Sequence, residues 1–160
     1  MQDILTCAMG LDVHRDIIVA CLVKGAVDAE PEAETHTFST LIPEMQKLRD
    51  WVIESECRNI AMESTGIYWQ PIYEMLESCF DGEISILVVN ARHMKNVPGR
   101  KTDIKDAQWI ATLLRAGLLK GSFIPDKAFR ELRHLTRYRK SVVHDITAQK
   151  NRIDKFLQSS

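Results

Sequence analysis

The sequence predicts an α/β protein: a mixed β-sheet flanked by helices, followed by a helical extension. Three observations carry this. Apolar runs at 4–12 and 17–23 are separated only by a short polar link, which reads as an antiparallel pair. Two further apolar runs, 58–63 and 84–89, alternate with segments of helical period, which reads as crossover units entering the same sheet. From 126 to 158 the pattern is helical throughout.

Taken in order, the link Val13-His14-Arg15-Asp16 joins the first two strands. A Gly- and Pro-punctuated turn covers 24–34, and a weaker third strand is expected at 35–38. Leu41, Met45, Leu48 and Val52 then step by helical spacing, with Ser39 or Thr40 as the expected cap. After the strand at 58–63, Ser64-Thr65-Gly66 is expected to open a helix whose one face carries Trp69, Ile72, Tyr73, Leu76 and Phe80. Asp81-Gly82 turns the chain into the strand at 84–89. A basic helical piece, a break at Val97-Pro98-Gly99 and a new helix from about Asp103 complete the first part. Strand, strand, strand, helix, strand, helix, strand, helix is the RNase H-like order. We expect a domain over 1–122 and a helical, coiled-coil extension over 123–160. In the extension, Leu132, Leu135, Arg139, Val142, Ile146, Gln149, Ile153 and Phe156 alternate in steps of three and four. That seam suits either a homo-oligomer or packing back onto the domain.

The composition, 45% hydrophobic and 27% charged, is that of a globular chain. No stretch reaches the roughly 18 apolar residues of a membrane helix, and the acidic N-terminus is unlike a signal peptide. A cytoplasmic, DNA-associated protein without membrane partners is expected. Cys7, Cys21, Cys57 and Cys79 form no C-x-x-C pair and read as small buried hydrophobes rather than zinc or disulfide positions. The net charge of −1 conceals an asymmetry. Residues 1–89 hold 5 basic and 16 acidic side chains, whereas 90–120 hold 7 and 2, and 126–160 hold 9 and 4. A basic second half fits a protein that meets phosphates with one side.

The chemistry-bearing feature is the position of the acids. Asp12 and Glu63 each end an apolar strand, and the expected topology puts those strands side by side. At about 100° per residue, Asp103 is centred on the apolar face of Ala107, Ile110, Ala111 and Leu114, and Asp106 lies at its edge, both aimed at the sheet rather than at water. Helix capping explains either acid alone but not that shared direction. Converging carboxylates repel unless cations join them, and hard oxygen ligands select Mg²⁺ or Mn²⁺. Two such ions about 4 Å apart can clamp an in-line phosphoryl displacement. Arg92, Lys95, Arg100 and Lys101, just before Asp103, are candidate phosphate contacts. His14 is placed to orient a water or touch a phosphate, or is simply a satisfied strand-end residue. The Ser64-Thr65-Gly66 amides could meet a phosphate or form a plain helix start.

Three segments, GLDVHRD, AMESTGIYW and NARHMKNVPGRKTDIKDAQWIATLLRAGLL, closely resemble the DEDD transposases of the insertion-sequence 110 family, over roughly residues 8–120. The long run around K-T-D-x-x-D is the most specific. The resemblance implies a RuvC-like domain whose Asp, Glu, Asp, Asp set falls on Asp12, Glu63, Asp103 and Asp106. It further implies a metal-dependent recombinase that excises and inserts a mobile element in double-stranded DNA, with a structured non-coding guide RNA. Members of that family also carry a C-terminal transposase domain with a nucleophile-like serine. Its absence here makes the chain read as a piece, and neither Ser159 nor Ser160 is assigned that role. The rival readings are a RuvC-like resolvase acting alone and a non-catalytic nucleic-acid-binding or assembly module. An actin-like sugar kinase is disfavoured, since the first hairpin lacks a Gly-rich phosphate turn.

Overall fold

The computed structural model describes residues 4–64, 66–90 and 106–159. The chain separates into two compact units, Met1–Ser122 and Phe123–Ser160.

The first unit is built on five strands: β1 (Cys7–Val13), β2 (Ile17–Lys24), β3 (Glu32–Ser39), β4 (Asn59–Glu63) and β5 (Ser85–Val89). Their order across the sheet is β3-β2-β1-β4-β5. The hairpins β1–β2 and β2–β3 are antiparallel, whereas β1–β4 and β4–β5 are parallel. This is the mixed sheet the sequence predicts, with β1 at its centre. β1 is buried on both faces, with Ala8 at 0% exposure on one and Met9 and Leu11 at 0% on the other. Such a strand shows a continuous apolar run rather than alternation, as residues 7–13 do.

Helix α1 (Ile42–Ser55) buries Leu48 and Val52, and α2 (Trp69–Phe80) buries Trp69, Ile72 and Leu76. Helix α3 (Asp106–Arg115) is the most buried of the described helices: seven of its ten residues are buried, including Trp109, Leu113 and Arg115 beyond the four apolar positions expected. It packs on β1, β2 and β4. Its side chains join Ala8, Ala61 and Val89 in one buried cluster and Cys21 and Val23 in another.

Four local expectations are corrected. β3 is twice as long as the run at 35–38, because its pairing runs from Ile17↔Ser39 to Lys24↔Glu32. It is an edge strand whose side chains are mostly exposed, so Glu32, Glu34 and His36 hide it from an apolar pattern while also guarding the edge. Neither Ser39 nor Thr40 caps α1. The cap position is Leu41, without a side-chain bond, because Ser39 still belongs to β3 and the Thr40 hydroxyl donates to the Arg15 carbonyl at 3.0 Å. α2 starts at Trp69, after a turn, rather than at Ser64. Of the cysteines, Cys79 is exposed and Cys7 half-buried, so only Cys21 and Cys57 are buried as expected.

The second unit is α4 (Lys127–Gln158), a helix of 32 residues. Asp126 caps it by accepting from the Phe129 amide at 3.0 Å, which satisfies one of the otherwise unpaired first-turn donors. Among the described residues no helix is long and apolar enough to cross a membrane.

Candidate functional site

The site begins with a glycine. A Cβ at Gly10 would overlap the carbonyl oxygen of Ala107 and lie 2.5 Å from the amide nitrogen of Ala111. The backbone of α3 therefore rests directly on the middle of β1, an approach only glycine allows. At the other end of the helix, the Arg115 carbonyl accepts from the amides of Ile4 and Leu5 at 2.9 and 3.1 Å. The helix thus runs antiparallel to β1, with its C-terminus at the strand's start and its N-terminus toward the strand's end.

That direction decides where the acids go. Gly10 pairs with Ala61 and Leu11 with Met62 in the parallel ladder. One residue further, Asp12 and Glu63 stand at neighbouring positions. Side chains alternate along a strand, so Asp12 shares a face with Gly10, and Glu63 shares one with Ala61. Gly10 and Ala61 both lie under α3. Asp106 opens α3 beside Ala107, the residue that sits on Gly10. Three of the four expected acids are therefore carried to one end and one face of the sheet. The N-terminal turn of α3 adds the positive end of a helix dipole to that end.

Their environments differ. The Asp12 side chain is 14% exposed and accepts from Nε2 of His14 at 3.0 Å, while the His14 side chain is 57% exposed. The histidine is thus a strand-end residue with a satisfied hydrogen bond, made to one oxygen of the Asp12 carboxylate. Glu63 is half-buried and Asp106 is exposed. Asp106 thus combines an exposed position with a place at the head of the helix, beside the buried Ala107. The Ser64 amide donates to the Val89 carbonyl at 2.9 Å, so it is committed to the β4–β5 edge and not offered to a phosphate.

Asp103 and the basic residues Arg92, Lys95, Arg100 and Lys101 lie outside the described residues. Among the described residues, no three of His, Cys, Asp and Glu come together closely enough to hold a metal ion. The donor chemistry nevertheless fits a hard divalent cation: carboxylate oxygens from two adjoining strands and a helix start, and no thiolate.

Sequence reasoning missed two residues that seat α3 on the sheet. Gly10 sets the height of α3 over β1. Arg115, 1% exposed, anchors the far end of the helix: its guanidinium donates to the carbonyls of Leu5 at 2.8 Å, Gly25 at 3.0 Å and Ala26 at 2.6 Å. The signal for Gly10 was a glycine inside an otherwise apolar strand. For Arg115 it was a single charge continuing the buried face of a helix.

The chain is similar to known proteins in sequence and in fold. The family model of the DEDD transposases of insertion sequence 110, described as "Transposase", matches residues 9–160. Among solved structures, Thermus thermophilus RuvC is similar over 72% of this chain and 99% of its own, at 12% identity and a TM-score of 0.50. T. thermophilus RuvC in complex with a Holliday junction substrate is similar over 74% of this chain and 100% of its own, at 12% identity and a TM-score of 0.50. No curated protein matches the chain. At that identity the structural likeness shows the fold, which is RuvC-like and of the RNase H type.

Proposed function

Because this chain belongs to the insertion-sequence 110 family of DEDD transposases, we propose that its RuvC-like nuclease domain cuts and joins DNA at Asp12, Glu63, Asp106 and Asp103. DEDD nucleases use divalent metal. The observation that carries the assignment is the antiparallel seat of α3 on Gly10, which brings the head of the helix to the end of β1 and β4 where Asp12 and Glu63 stand.

In this reading the four carboxylates hold Mg²⁺ or Mn²⁺, and a pair of ions is the arrangement suited to in-line phosphoryl displacement. When bound, the metal activates the attacking oxygen and neutralises charge on the phosphoryl group. The chain's own residues do the rest. His14 holds the Asp12 carboxylate in one orientation through its Nε2–H. The apolar packing beneath α3 keeps the helix head from drifting away from the strands. Arg92, Lys95, Arg100 and Lys101 position the DNA backbone without reading its sequence.

The substrate is double-stranded DNA within a mobile element. Branched DNA is the form to try first, since T. thermophilus RuvC was solved with a Holliday junction substrate. A structured non-coding RNA supplies target choice in this proposal, as the family resemblance implies. Residues 1–122 form the nuclease domain and 123–160 an extension through which copies associate. The exposed Leu132, Leu135, Val142, Ile146, Ile153 and Phe156 of α4 support that association.

The test is a thermal melt of the chain against rising Mn²⁺, beside Asp12→Asn and Asp106→Asn. A ligand held only by the folded state stabilises by about 2.7 kcal/mol at a hundredfold excess over its dissociation constant. We expect a saturable rise in the parent that both variants lose, followed by Mn²⁺-dependent nicking of a four-way junction. A flat response in all three, with no nicking, would move the reading to a nucleic-acid-binding module without catalysis.

A further inference from the structure

A second pair of reactive groups lies at the opposite ends of the same two strands. Cys7 opens β1, and Cys57 sits in the coil that leads into β4. Asn59 ties them together: its side-chain amide donates to the Cys7 carbonyl at 3.3 Å, and its carbonyl accepts from the Cys57 thiol at 3.4 Å. The Cys57 thiol also lies within interaction reach of the Cys7 sulfur, so its one proton has two competing acceptors, the Asn59 carbonyl and Cys7.

The strand register makes a covalent link feasible. Met9 pairs with Ile60, so Cys7 falls opposite Arg58 and one residue from Cys57 along the neighbouring strand. Strands about 4.8 Å apart with a rise of about 3.3 Å per residue put the two Cα atoms roughly 5.8 Å apart. A disulfide spans about 4.4–6.8 Å between Cα atoms. Cys57 lies in coil, so the alternation of a strand does not turn its side chain away.

The surroundings favour a thiolate at Cys7. The hydrogen bond from Cys57, with help from the charges of Lys24 and Arg115 and against burial, lowers the Cys7 thiol from 9.0 to about 7. Lys24 is the direct partner of Cys7 in the β1–β2 ladder. Holding that hydrogen bond, together with burial, pushes the Cys57 thiol up. Cys7 is half-buried and open to a reagent, whereas Cys57 is 2% exposed and lines a cleft of about 400 Å³ with Glu56, Arg58 and Glu83.

We propose that Cys7 and Cys57 form a dithiol site that reacts with a low-molecular-weight disulfide and closes into a bond between β1 and the start of β4. The Cys7 thiolate attacks one sulfur of the reagent. The reagent's S–S bond breaks, one thiolate leaves, and a mixed disulfide forms on Cys7. With the charge on Cys7 gone, the main cause that held the Cys57 proton is gone too. Cys57 gives that proton to the departed thiolate, its sulfur attacks the Cys7 sulfur, and a second thiolate leaves and takes a proton from water. Two protein thiols are oxidised and one reagent disulfide is reduced to two thiols. The bond would cross-link the two strands that carry Asp12 and Glu63, but the inference does not depend on their role.

The experiment is incubation of the full chain with oxidised glutathione at neutral pH, followed by intact mass and peptide mapping. We expect a Cys7–Cys57 cross-linked peptide and a chain lighter by two hydrogens, with exposed Cys79 carrying only glutathione adducts. In Cys57→Ser the reaction should stop at a glutathione adduct on Cys7. Iodoacetamide should alkylate Cys7 of the untreated chain roughly fivefold faster than Cys79 at neutral pH, the larger thiolate fraction outweighing its weaker nucleophilicity. Glutathione on Cys79 with Cys7 and Cys57 recovered as free thiols would overturn the proposal, and so would separate adducts on both without a cross-link. If Cys57→Ser fails to fold, the parent's peptide map decides alone.

Discussion

Helices α3 and α4 are both amphipathic, and the molecule treats them oppositely. α3 buries seven of its ten residues against the sheet. α4 buries only Arg130 among its 32 residues and leaves Leu132, Leu135, Val142, Ile146, Ile153 and Phe156 exposed. Periodicity therefore states that a helix has an apolar side, not what that side meets. What distinguishes α3 is a receiving surface of small residues, Ala8, Gly10 and Ala61, on which a helix backbone can lie flat. α4 within its own unit has no such surface, so its stability as a helix rests on length, its Asp126 cap and side-chain pairs along it.

That contrast can be broken by mutation. The largest effect is expected at Gly10. Gly10→Ala must move the backbone of α3, since the new Cβ would overlap Ala107, and a loss of about 3 kcal/mol or more is expected in urea unfolding. A near-neutral result would mean that α3 does not sit on β1 in solution. Next comes Leu113→Ala, where a fully buried side chain leaves a cavity and the expected cost is about 3 kcal/mol in the same assay. Arg115→Met keeps the bulk of the side chain but strands three carbonyl acceptors. We expect about 2 kcal/mol, with the Leu5 and Gly25 amides, bonded to the Arg115 and Thr6 carbonyls, exchanging faster. The smallest effect belongs to α4: Leu135→Gln and Ile146→Gln should change unfolding of the isolated chain by under about 0.5 kcal/mol. If copies associate through this helix, the same two changes should lower the sedimentation coefficient at high concentration. A stability loss in Ile146→Gln as large as in Leu113→Ala, independent of protein concentration, would show that α4 is covered within one chain.

Much of the candidate site was legible because the candidate acids contradict their surroundings. Asp12 ends the most buried strand of the protein and Glu63 ends another, so each breaks an apolar pattern at a strand terminus. The order of elements then implied that the strands adjoin, and the parallel register of β1 and β4 agrees. Asp106 was found by the same logic on a helix, although its exposure was not. His14 was visible only as a neighbour in sequence; that it grips Asp12 depends on the tight turn closed by the His14 amide and the Ile17 carbonyl, 2.9 Å apart. The long β3 was missed because an edge strand needs backbone partners more than apolar side chains. The closeness of Cys7 and Cys57 was missed because forty-nine intervening residues separate two thiols that the register brings together.

The sequence by itself determined the class of fold and the succession of strands and helices, and it singled out the candidate acids, since these follow from local periodicity and from charge placed where water is scarce. Only the tertiary structure decided how closely α3 approaches β1, which way it runs, what Arg115 holds, and that two distant cysteines are brought to neighbouring strand ends. Those are properties of pairs of surfaces, and a pairing between residues far apart along the chain leaves no periodic trace in either segment.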